Sequence, residues 1–582
     1  MFRATRVCNG IVHGQLLLRF ANWNFAIGFV IAWFAAFENT SLLTRDARLA
    51  KSGFSLSFRS RVETSPDSGR YHSIVSEETW DPAKTAVIVC DVWDLHHSIN
   101  AVRRVKELAP RIDEVLKTAR AKGAIIIHAP SECMENYATN VARRRAQEVP
   151  LVTPMPADIG QWCHKIESEE SAVYPIDQSD GGEDDDLTEH AAWANELKAM
   201  GRNPRSPWKS QSSLITIDSD RDYISDKGEE IWSILNARDI ENVILVGVHT
   251  NMCVLGRPFG LRQMAKNGKR VVLIRDLTDT MYNPLSRPFV NHHTGTDLIV
   301  EYIEQHICPT ITSDQFLGGL PFRFASDQRP LVVFVMAEDE YETNQTLPRF
   351  AAEHLGKDFR VAHVFASETN PNDLPGLEVL QQADVAVLSI RRRPLPPKQL
   401  EVFRKFVQSG KPVIGIRTAS HAFSLRDAAP PTGLESWPEF DVQVLGGNYS
   451  GHHGNELLPS IQVIAENQND RLLSGVESVP FQSGGSLYKT SPLAKSTNQL
   501  LVGSIPGEKS EPVAWTFKRA DGGKSFYTSL GHKLDFENPA FVRLLLNSIY
   551  WASEKETKEI PNLKNSLDRS RLENDLQGTS KR

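Results

Sequence analysis

Short runs of valine and isoleucine recur along this chain, each followed by a stretch with helical spacing, and this alternation restricts the fold more than any other feature. In the first half the runs are TAVIVCDV (85–92), GAIIIHAP (123–130), NVILVGVHT (242–250) and KRVVLIRDLT (269–278). Strands that are apolar on both faces are typical of a parallel sheet covered by helices on both sides. The pattern therefore predicts an α/β fold with three layers.

The same alternation returns in the second half of the chain. Its runs are LVVFVMAED (331–339), FRVAHVFAS (359–367), ADVAVLSI (383–390) and KPVIGIRT (411–418). A chain of 582 residues is also too long for one ordinary core. We therefore predict two three-layer α/β/α domains with mostly parallel sheets, over residues 76–325 and 326–553.

The two ends of the chain differ from these domains. Arginines precede an apolar run at 25–37, which is the order found in secretory signals, and the run is shorter than the roughly 20 residues that span a bilayer. We predict a signal peptide or membrane anchor over 1–40 and an exported or envelope-associated protein. The alternative is a cytoplasmic protein with a mis-assigned start. We also expect a linker over 41–75 and a disordered tail over 554–582.

Charge and cysteine content exclude several functional classes. The net charge of −7 and the pI of about 6.2 give no electrostatic footprint for nucleic acid. The six cysteines are scattered, without a CxxC pair or a Cys/His zinc spacing. A cysteine with a special role is therefore expected to act chemically, on a small-molecule substrate. Self-association stays open.

Two residues in the first half lie where the ligand crevice of a parallel sheet is expected. Asp91 directly follows one buried strand, and Cys253 follows another at the predicted first turn of a helix. A helix N-terminus lowers the pKa of a thiol and supplies N–H groups for an oxyanion. We predict Cys253 as nucleophile and Asp91 as base. The ordinary alternatives are a buried apolar cysteine and a structural aspartate.

Three motifs over 84–310 resemble those of the isochorismatase-like cysteine hydrolases, which include nicotinamidases and carbamoyl-amide hydrolases. They are AVIVCD (86–91), VILVGVHTNMCV (243–254) and RVVLIRD (270–276). The resemblance implies a triad of Asp91, Lys209 and Cys253 that cleaves a small amide or carbamoyl compound. The family's aromatic-rich segment after the lysine is replaced here by residues 210–228.

The resemblance also implies a cis peptide bond between Val248 and His249. The backbone amides of His249 and Cys253 would then form the oxyanion hole. Two alternatives to amide hydrolysis stay open. One is the vinyl-ether hydrolysis of true isochorismatases, which does not need the cysteine, and the other is a non-catalytic carbohydrate-binding or scaffold protein.

Several polar and aromatic residues near Asp91 and Cys253 are expected to line the pocket. They are Trp93, Asp94, His96, His97 and Asn251. Nicotinamidases bind a metal ion through an Asp and several His residues, but a second ligand cluster is not recognisable here. We therefore predict no metal ligand and no required cofactor, with a divalent cation as an open alternative. The acidic stretch 177–186 is expected to be a solvated loop.

The second half resembles the ThuA-like (trehalose-utilisation) domains, which share the fold of class I glutamine amidotransferases. The resemblance rests on the segments 332–341, 383–390, 411–423, 445–455 and 529–552. Arg417 stands where a glutaminase has its cysteine, and this half contains no cysteine, so amide chemistry is not expected. The neighbouring Ser420 and His421 are expected to point apart.

We expect a binding role for this domain, with a carbohydrate or an anion as ligand. The candidate pocket residues are Arg417, His421, His452, His453 and His532. The alternative is that these histidines are structural.

Overall fold

A computed structural model of the chain describes residues 53–476 and 480–555. The predicted signal or anchor segment at 1–40 and the tail from 556 onward lie outside these residues and stay predictions. No helix within the described ranges is both long enough and apolar enough to cross a membrane.

Eight strands of the described chain form the first sheet. They are β1 (Phe54–Glu63), β2 (Tyr71–Trp80), β3 (Thr85–Cys90), β4 (Ile125–Ala129), β5 (Tyr223–Ile224), β6 (Asn242–Val248), β7 (Arg270–Asp279) and β8 (Thr310–Ile311). The strand order is β2-β1-β8-β7-β6-β3-β4-β5. The strands from β3 to β8 pair in parallel, whereas β1 pairs antiparallel with β2 and β8.

Helices pack on both faces of this sheet. They are α1 (Ile99–Lys122), α2 (Val141–Glu148), α3 (Leu187–Ala199), α4 (Gly228–Ala237), α5 (Leu261–Lys266), α6 (His292–His306) and α7 (Asp314–Leu317). Strand β3 is buried along its whole length because it is apolar on both faces. Ile88 packs in the core on one face, and Val87 and Val89 pack in the core on the other. The predicted three-layer arrangement follows from this burial.

The predicted linker over 41–75 is wrong where the structure describes it, because strands β1 and β2 form a hairpin there. Phe54, Leu56 and Phe58 alternate with polar residues and are buried under the sheet edge. This two-residue period is the pattern of a half-buried strand. The many Ser and Arg residues of the segment occupy the other positions of the hairpin.

The second sheet lies in the C-terminal unit. Its strands and those of a small hairpin are β9 (Leu331–Ala337), β10 (Arg360–Phe365), β11 (Val385–Ile390), β12 (Val413–Ile416), β13 (Gly451–His452), β14 (Ser460–Val463), β15 (Phe481–Gln482), β16 (Tyr488–Lys489), β17 (Thr497–Ser504), β18 (Glu511–Lys518) and β19 (Lys524–Thr528). The order in the large sheet is β10-β9-β11-β12-β19-β18-β17-β14-β15, and β13 pairs with β16.

The first five strands of this order are parallel and the remaining pairs are antiparallel. Helices α8 (Thr343–His354), α9 (Pro397–Gln408) and α10 (Pro539–Ala552) cover the sheet. Separate apolar cores fill its two faces. The predicted fold class of two α/β units with large sheets is confirmed.

The topology brings the candidate residues of the first unit to one edge. Strands β3 and β6 are parallel neighbours, so the residues that follow them lie side by side. Asp91 follows β3, and His249 with the turn Thr250–Val254 follows β6. This is the edge at which ligands bind in open parallel sheets.

A buried ion network ties α1 to the end of β7. Asp279 accepts hydrogen bonds from Nε of Arg104 at 2.8 Å and pairs with Nε2 of His292 at 2.9 Å. Arg104 also pairs with Asp184 at 2.7 Å. Burial alone would raise the pKa of Asp279, but Arg104 and His292 hold it well below its ordinary value. Asp279 is therefore ionised in the folded protein at neutral pH.

We expect Asp279→Asn to destabilise the first unit by roughly 3 kcal/mol, because it leaves Arg104 and His292 buried without their full partner. The urea midpoint of the full chain measures this loss. Because the pKa of Asp279 is depressed in the fold, its contribution is present at neutral pH, and the two proteins should begin to converge below about pH 4. The control is Asp218→Asn, since Asp218 pairs with Arg221 at the surface. Equal midpoints for both variants would contradict the assignment.

Candidate active site

The carboxyl group of Asp91 is fully buried and has three hydrogen-bond partners. Oδ1 accepts from the backbone N–H of Ser131 at 2.7 Å, and Oδ2 accepts from Nε of Arg257 at 2.9 Å. The thiol of Cys253 is the third partner. Asp91 itself has a left-handed φ of 48°, which turns the chain sharply as it leaves β3.

Cys253 lies in the short turn after β6, with 7% of its surface exposed. The peptide bond between Val248 and His249 is cis, as predicted. The backbone N–H of His249 forms a hydrogen bond to the sulfur of Cys253. The sulfur therefore lies between the carboxylate of Asp91 and a backbone N–H donor.

The expected low pKa of the Cys253 thiol is wrong. Burial and the negative charge of Asp91 raise this pKa well above its ordinary value, and the guanidinium of Arg257 only partly opposes them. Burial also raises the pKa of Asp91, against the opposing charge of Arg257. The resting pair therefore holds its proton on the sulfur, next to a carboxylate whose proton affinity is increased.

Arg257 is the site residue that the sequence prediction missed. Its guanidinium pairs with Asp91, lies 3.7 Å from the exposed carboxylate of Glu132, and sits over the ring of Trp162 at 5.4 Å. Arg257 follows Cys253 by four residues, so both lie on one face of a helical turn. That spacing is the signal from which Arg257 could have been found.

Lys209 is not brought to Asp91 and Cys253, in contrast to the prediction. Its side chain is exposed, and its backbone N–H donates to Asp94 at 3.0 Å. Among the described residues its ammonium group forms no ion pair or hydrogen bond. The neighbours on either side explain this outward direction, because Trp208 stacks on Trp93 at 4.4 Å and Gln211 is buried against His128.

A crevice of about 410 Å³ opens beside Asp91 and His249. Trp93, Asp94 and His96 line it as predicted, and Lys106 of α1 is a further lining residue that was not predicted. Cys253 itself is not among the lining residues, but its partner Asp91 and the cis-linked His249 are.

Two predicted pocket residues have other partners. His97 pairs with Glu183 at 3.0 Å. The side-chain amide of Asn251 forms two hydrogen bonds with the backbone of Met281, at 2.8 and 2.9 Å, and does not line the crevice. Both residues therefore hold loops next to the crevice.

Aromatic rings form one wall of the crevice. His96 lies 6.0 Å from the ring of Trp93 and 4.8 Å from the ring of His249. Burial lowers the pKa of His96 well below its ordinary value and that of His249 to about 4. Both imidazoles are therefore neutral near pH 7, and the aromatic wall is uncharged.

No three His, Cys, Asp or Glu side chains of the described residues are arranged to hold a metal ion. Asp94, considered as a ligand, pairs with Arg202 at 2.8 Å. The acidic stretch 177–186 is only partly the solvated loop that was expected, since residues 179–181 are exposed. Asp185 accepts from the backbone N–H groups at the start of α1, and Asp186 caps α3.

In the second unit the structure separates the predicted pocket residues. Arg417 is 1% exposed, and its guanidinium lies between the rings of Tyr341 and Tyr488, at 4.1 and 4.6 Å. It donates to the backbone oxygen of Ser529 at 2.8 Å. Arg417 therefore does not line a cavity, and the expected contact of a ligand with it is not supported.

The four histidines predicted to line the pocket of this unit fall into two groups. His421 and His452 line a second cavity. His453 lies 3.6 Å from Glu508, and His532 accepts from the backbone N–H of Leu534 at the start of a short turn. His453 and His532 are therefore not among the residues that line this cavity.

The expectation that Ser420 and His421 point apart is wrong. The hydroxyl of Ser420 lies 3.1 Å from Nδ1 of His421, because both belong to the tight turn Arg417–His421. Burial and nearby arginines lower the pKa of His421 to about 3. His421 is therefore a weak base in spite of this contact.

Comparison with known protein families gives a match in the second unit. Residues 332–552 match the ThuA family, described as trehalose utilisation, so the second unit carries a ThuA domain. No curated protein matches the chain.

Solved structures with similarity to the chain come from both kinds of domain. One is a protein described as ThuA-like from Bacteroides uniformis, with 15% identity over 41% of this chain and 97% of that chain and a TM-score of 0.30. Another is a cysteine hydrolase from Pseudomonas syringae pv. phaseolicola, with 17% identity over 40% and 92% of the two chains and a TM-score of 0.25. A third is N-carbamoylsarcosine amidase from Thermoplasma acidophilum, with 15% identity over 34% and 83% and a TM-score of 0.18.

Proposed function

We propose that the first unit is a cysteine hydrolase that cleaves the C–N bond of a small amide or carbamoyl compound, with the ThuA domain as an accessory. The observation that carries this proposal is the buried Asp91, which contacts both the thiol of Cys253 and the guanidinium of Arg257 at the edge of a crevice. A buried carboxylate with a raised pKa next to a thiol is the arrangement expected of a nucleophile and its base.

In the first half of the reaction Asp91 takes the thiol proton, and the sulfur of Cys253 attacks the carbonyl carbon of the amide. The developing oxyanion accepts hydrogen bonds from the backbone N–H groups of His249 and Cys253. The C–N bond then breaks, and the leaving nitrogen takes the proton from Asp91 and departs as ammonia or an amine. The acyl group stays on the sulfur as a thioester.

In the second half a water molecule replaces the departed amine. Asp91 takes a proton from this water, whose oxygen attacks the thioester carbon. The C–S bond breaks, the sulfur recovers the proton from Asp91, and a carboxylic or carbamic acid is released. Both halves need one base that can hold a proton briefly, which is what the raised pKa of Asp91 provides.

Arg257 is a positioning residue in this scheme. Its Nε–H fixes the Oδ2 oxygen of Asp91, and its charge opposes the rise in the pKa of both Asp91 and Cys253. Arg257 therefore supplies the positive charge next to Asp91 that the family resemblance assigns to Lys209.

Arg257→Ala should lower kcat/KM for amide hydrolysis by roughly 10–100-fold. The pKa of Asp91 should rise further without the cation, and since the base must be ionised, the acid limb of the pH–rate profile should move up by about one pH unit or more. The control, Lys209→Ala, should stay within about twofold of wild type, because the Lys209 side chain is exposed. A larger loss of kcat/KM in Lys209→Ala than in Arg257→Ala would contradict this role of Arg257 and support Lys209 as the third member of the triad.

The crevice favours a small substrate. Its wall is made of Trp93 and the neutral rings of His96 and His249, and Lys106 adds a cation to the lining. A panel of aliphatic, aromatic and N-carbamoyl amides, followed by ammonia release, tests the reaction class. Vinyl-ether hydrolysis is the alternative, and it does not need a thiol.

A further inference from the structure

The second unit has its own cavity, of about 620 Å³, at the carboxyl ends of β11 and β12. The lining residues that carry the following argument are Arg392, Ser420, His421, Arg426, Asp441 and Tyr449. Ligands commonly bind at this edge of a parallel sheet. The residues that line this cavity belong to the second unit, whereas those that line the crevice belong to the first.

Two arginines of the lining lack an acidic partner. Arg391 and Arg393 on either side of Arg392 pair with Glu340 and Asp339. Arg392 and Arg426 form no ion pair with any described residue. Burial and the charge of Arg426 lower the pKa of Arg392, and Tyr449 only partly opposes them.

Arg392 is held in place by its surroundings. Its backbone N–H donates to the carbonyl oxygen of His421 at 2.9 Å, and its guanidinium interacts with the neighbouring Tyr449, which raises its pKa. The ring of Tyr449 stacks on His421 at 4.4 Å. The guanidinium is therefore positioned in the cavity rather than free in solvent.

The pKa of His421 indicates the sign of the electrostatic potential in the cavity. After burial, the charged groups that lower its pKa are Arg392, Arg391, Arg417 and Arg426, and each of them is an arginine. Such a field disfavours any further cation in the cavity and favours an anion.

Two carboxyl groups also line the cavity and must be weighed against these arginines. Burial raises the pKa of Asp441 to about 7, so this group is partly protonated at neutral pH. Its Oδ2 accepts from the backbone N–H of Tyr449 at 2.7 Å, and its Oδ1 has no partner among the described residues. Asp427 is exposed. The arginines therefore outweigh the carboxylates.

We propose that this cavity binds a small organic anion whose carboxylate or phosphate group is held by the guanidinium groups of Arg392 and Arg426. Planar guanidinium groups donate two parallel hydrogen bonds to either kind of anion. The hydroxyl of Ser420 and the imidazole of His421 lie beside that position, and Trp437 and Phe440 in the same lining would contact the rest of the ligand. This site is independent of the reaction proposed for the first unit.

The test is calorimetric titration of the full chain, at neutral pH and low ionic strength, with inorganic phosphate, phenyl phosphate, acetate and benzoate. The four probes separate phosphate from carboxylate and a bare anion from one with an apolar body. We expect at least one of them to bind with a stoichiometry of one. Arg426→Ala and Arg392→Ala should each weaken its binding by about tenfold or more, because a charge-assisted contact is lost.

Arg471→Ala is the matched control, since Arg471 is an exposed arginine of the same unit outside the cavity. It should change the affinity by less than about twofold. Cys253→Ala should leave binding unchanged, which separates this site from the crevice of the first unit. Arg426 is exposed, so its variant folds even where Arg392→Ala does not. The proposal is overturned if none of the four anions binds, or if Arg426→Ala binds as wild type does.

Discussion

Cys253→Ala is expected to lower kcat/KM for the best amide of the panel by at least about 10⁴-fold. In the proposed reaction the sulfur forms the bond to the acyl carbon, and Cys253 is the described thiol that has a side-chain hydrogen bond with the carboxyl group of Asp91. Cys133 and Cys308, for example, are buried with pKa values raised above the ordinary range, mainly by desolvation. Ammonia release under saturating and subsaturating substrate measures the loss.

Cys163→Ala is the matched control for this variant. Cys163 is also a free and buried cysteine of the first unit, but its thiol donates to the backbone oxygen of Lys165. Its replacement should leave kcat/KM within about threefold of wild type. Amide hydrolysis that survives in Cys253→Ala would exclude the thioester route, and turnover of a vinyl ether by that variant would favour the alternative reaction.

Asp91→Asn should lower kcat/KM by roughly 10³–10⁴-fold, while the protein stays folded. An amide of the same shape can still accept the hydrogen bond from Ser131, but it cannot take the proton of Cys253. Because Asp91 also serves the attacking water in the proposed reaction, both halves of that reaction should lose their base. Activity and the urea midpoint should be measured on the same preparation.

Glu132→Gln provides the control for charge alone. Glu132 is exposed and lies 3.7 Å from the guanidinium that also holds Asp91. Its neutralisation should change kcat/KM by less than about threefold, since exposed pairs contribute little. If Asp91→Asn were no worse than Glu132→Gln, Asp91 would be a structural partner of Arg257 and not a base.

The parts of this structure that depend on local pattern could be predicted from the sequence. Strand β3 is apolar at every position after Thr85, and this pattern alone predicts burial on both faces and a parallel sheet. Asp91 and Cys253 each follow such a strand, so their meeting at one edge follows from the topology. The hairpin of β1 and β2 was missed because its Phe54, Leu56 and Phe58 alternation is short and lies among Ser and Arg residues.

The parts that depend on side-chain direction could not be predicted. Lys209 stands at a suitable distance along the chain, but the stacking of Trp208 on Trp93 and the burial of Gln211 direct its side chain outward. Arg257 reaches Asp91 because the turn after Cys253 places it there. Charge alone did not distinguish these two cations.

In the second unit, too, the direction of the side chains could not be predicted from the sequence. Arg417 has the position of a nucleophile in the chain and a left-handed φ of 43°, yet its guanidinium is enclosed by two tyrosines. Arg392 and Arg426, which no motif singled out, are the arginines that line the cavity. Which arginine faces a cavity depends on contacts between segments far apart in sequence, and these contacts are visible only in the folded chain.

We propose that the sulfur of Cys253 attacks a carbonyl carbon with Asp91 as its base. The aldehyde analogue of the best amide, labelled with ¹³C at the carbonyl carbon, tests it without requiring an intermediate to accumulate. In wild type we expect the ¹³C signal of the aldehyde to be replaced by that of a thiohemiacetal, and amide turnover to be inhibited in parallel. In Cys253→Ala the aldehyde signal should persist unchanged. A wild-type spectrum without the thiohemiacetal, or the same adduct in Cys253→Ala, would exclude Cys253 as the nucleophile.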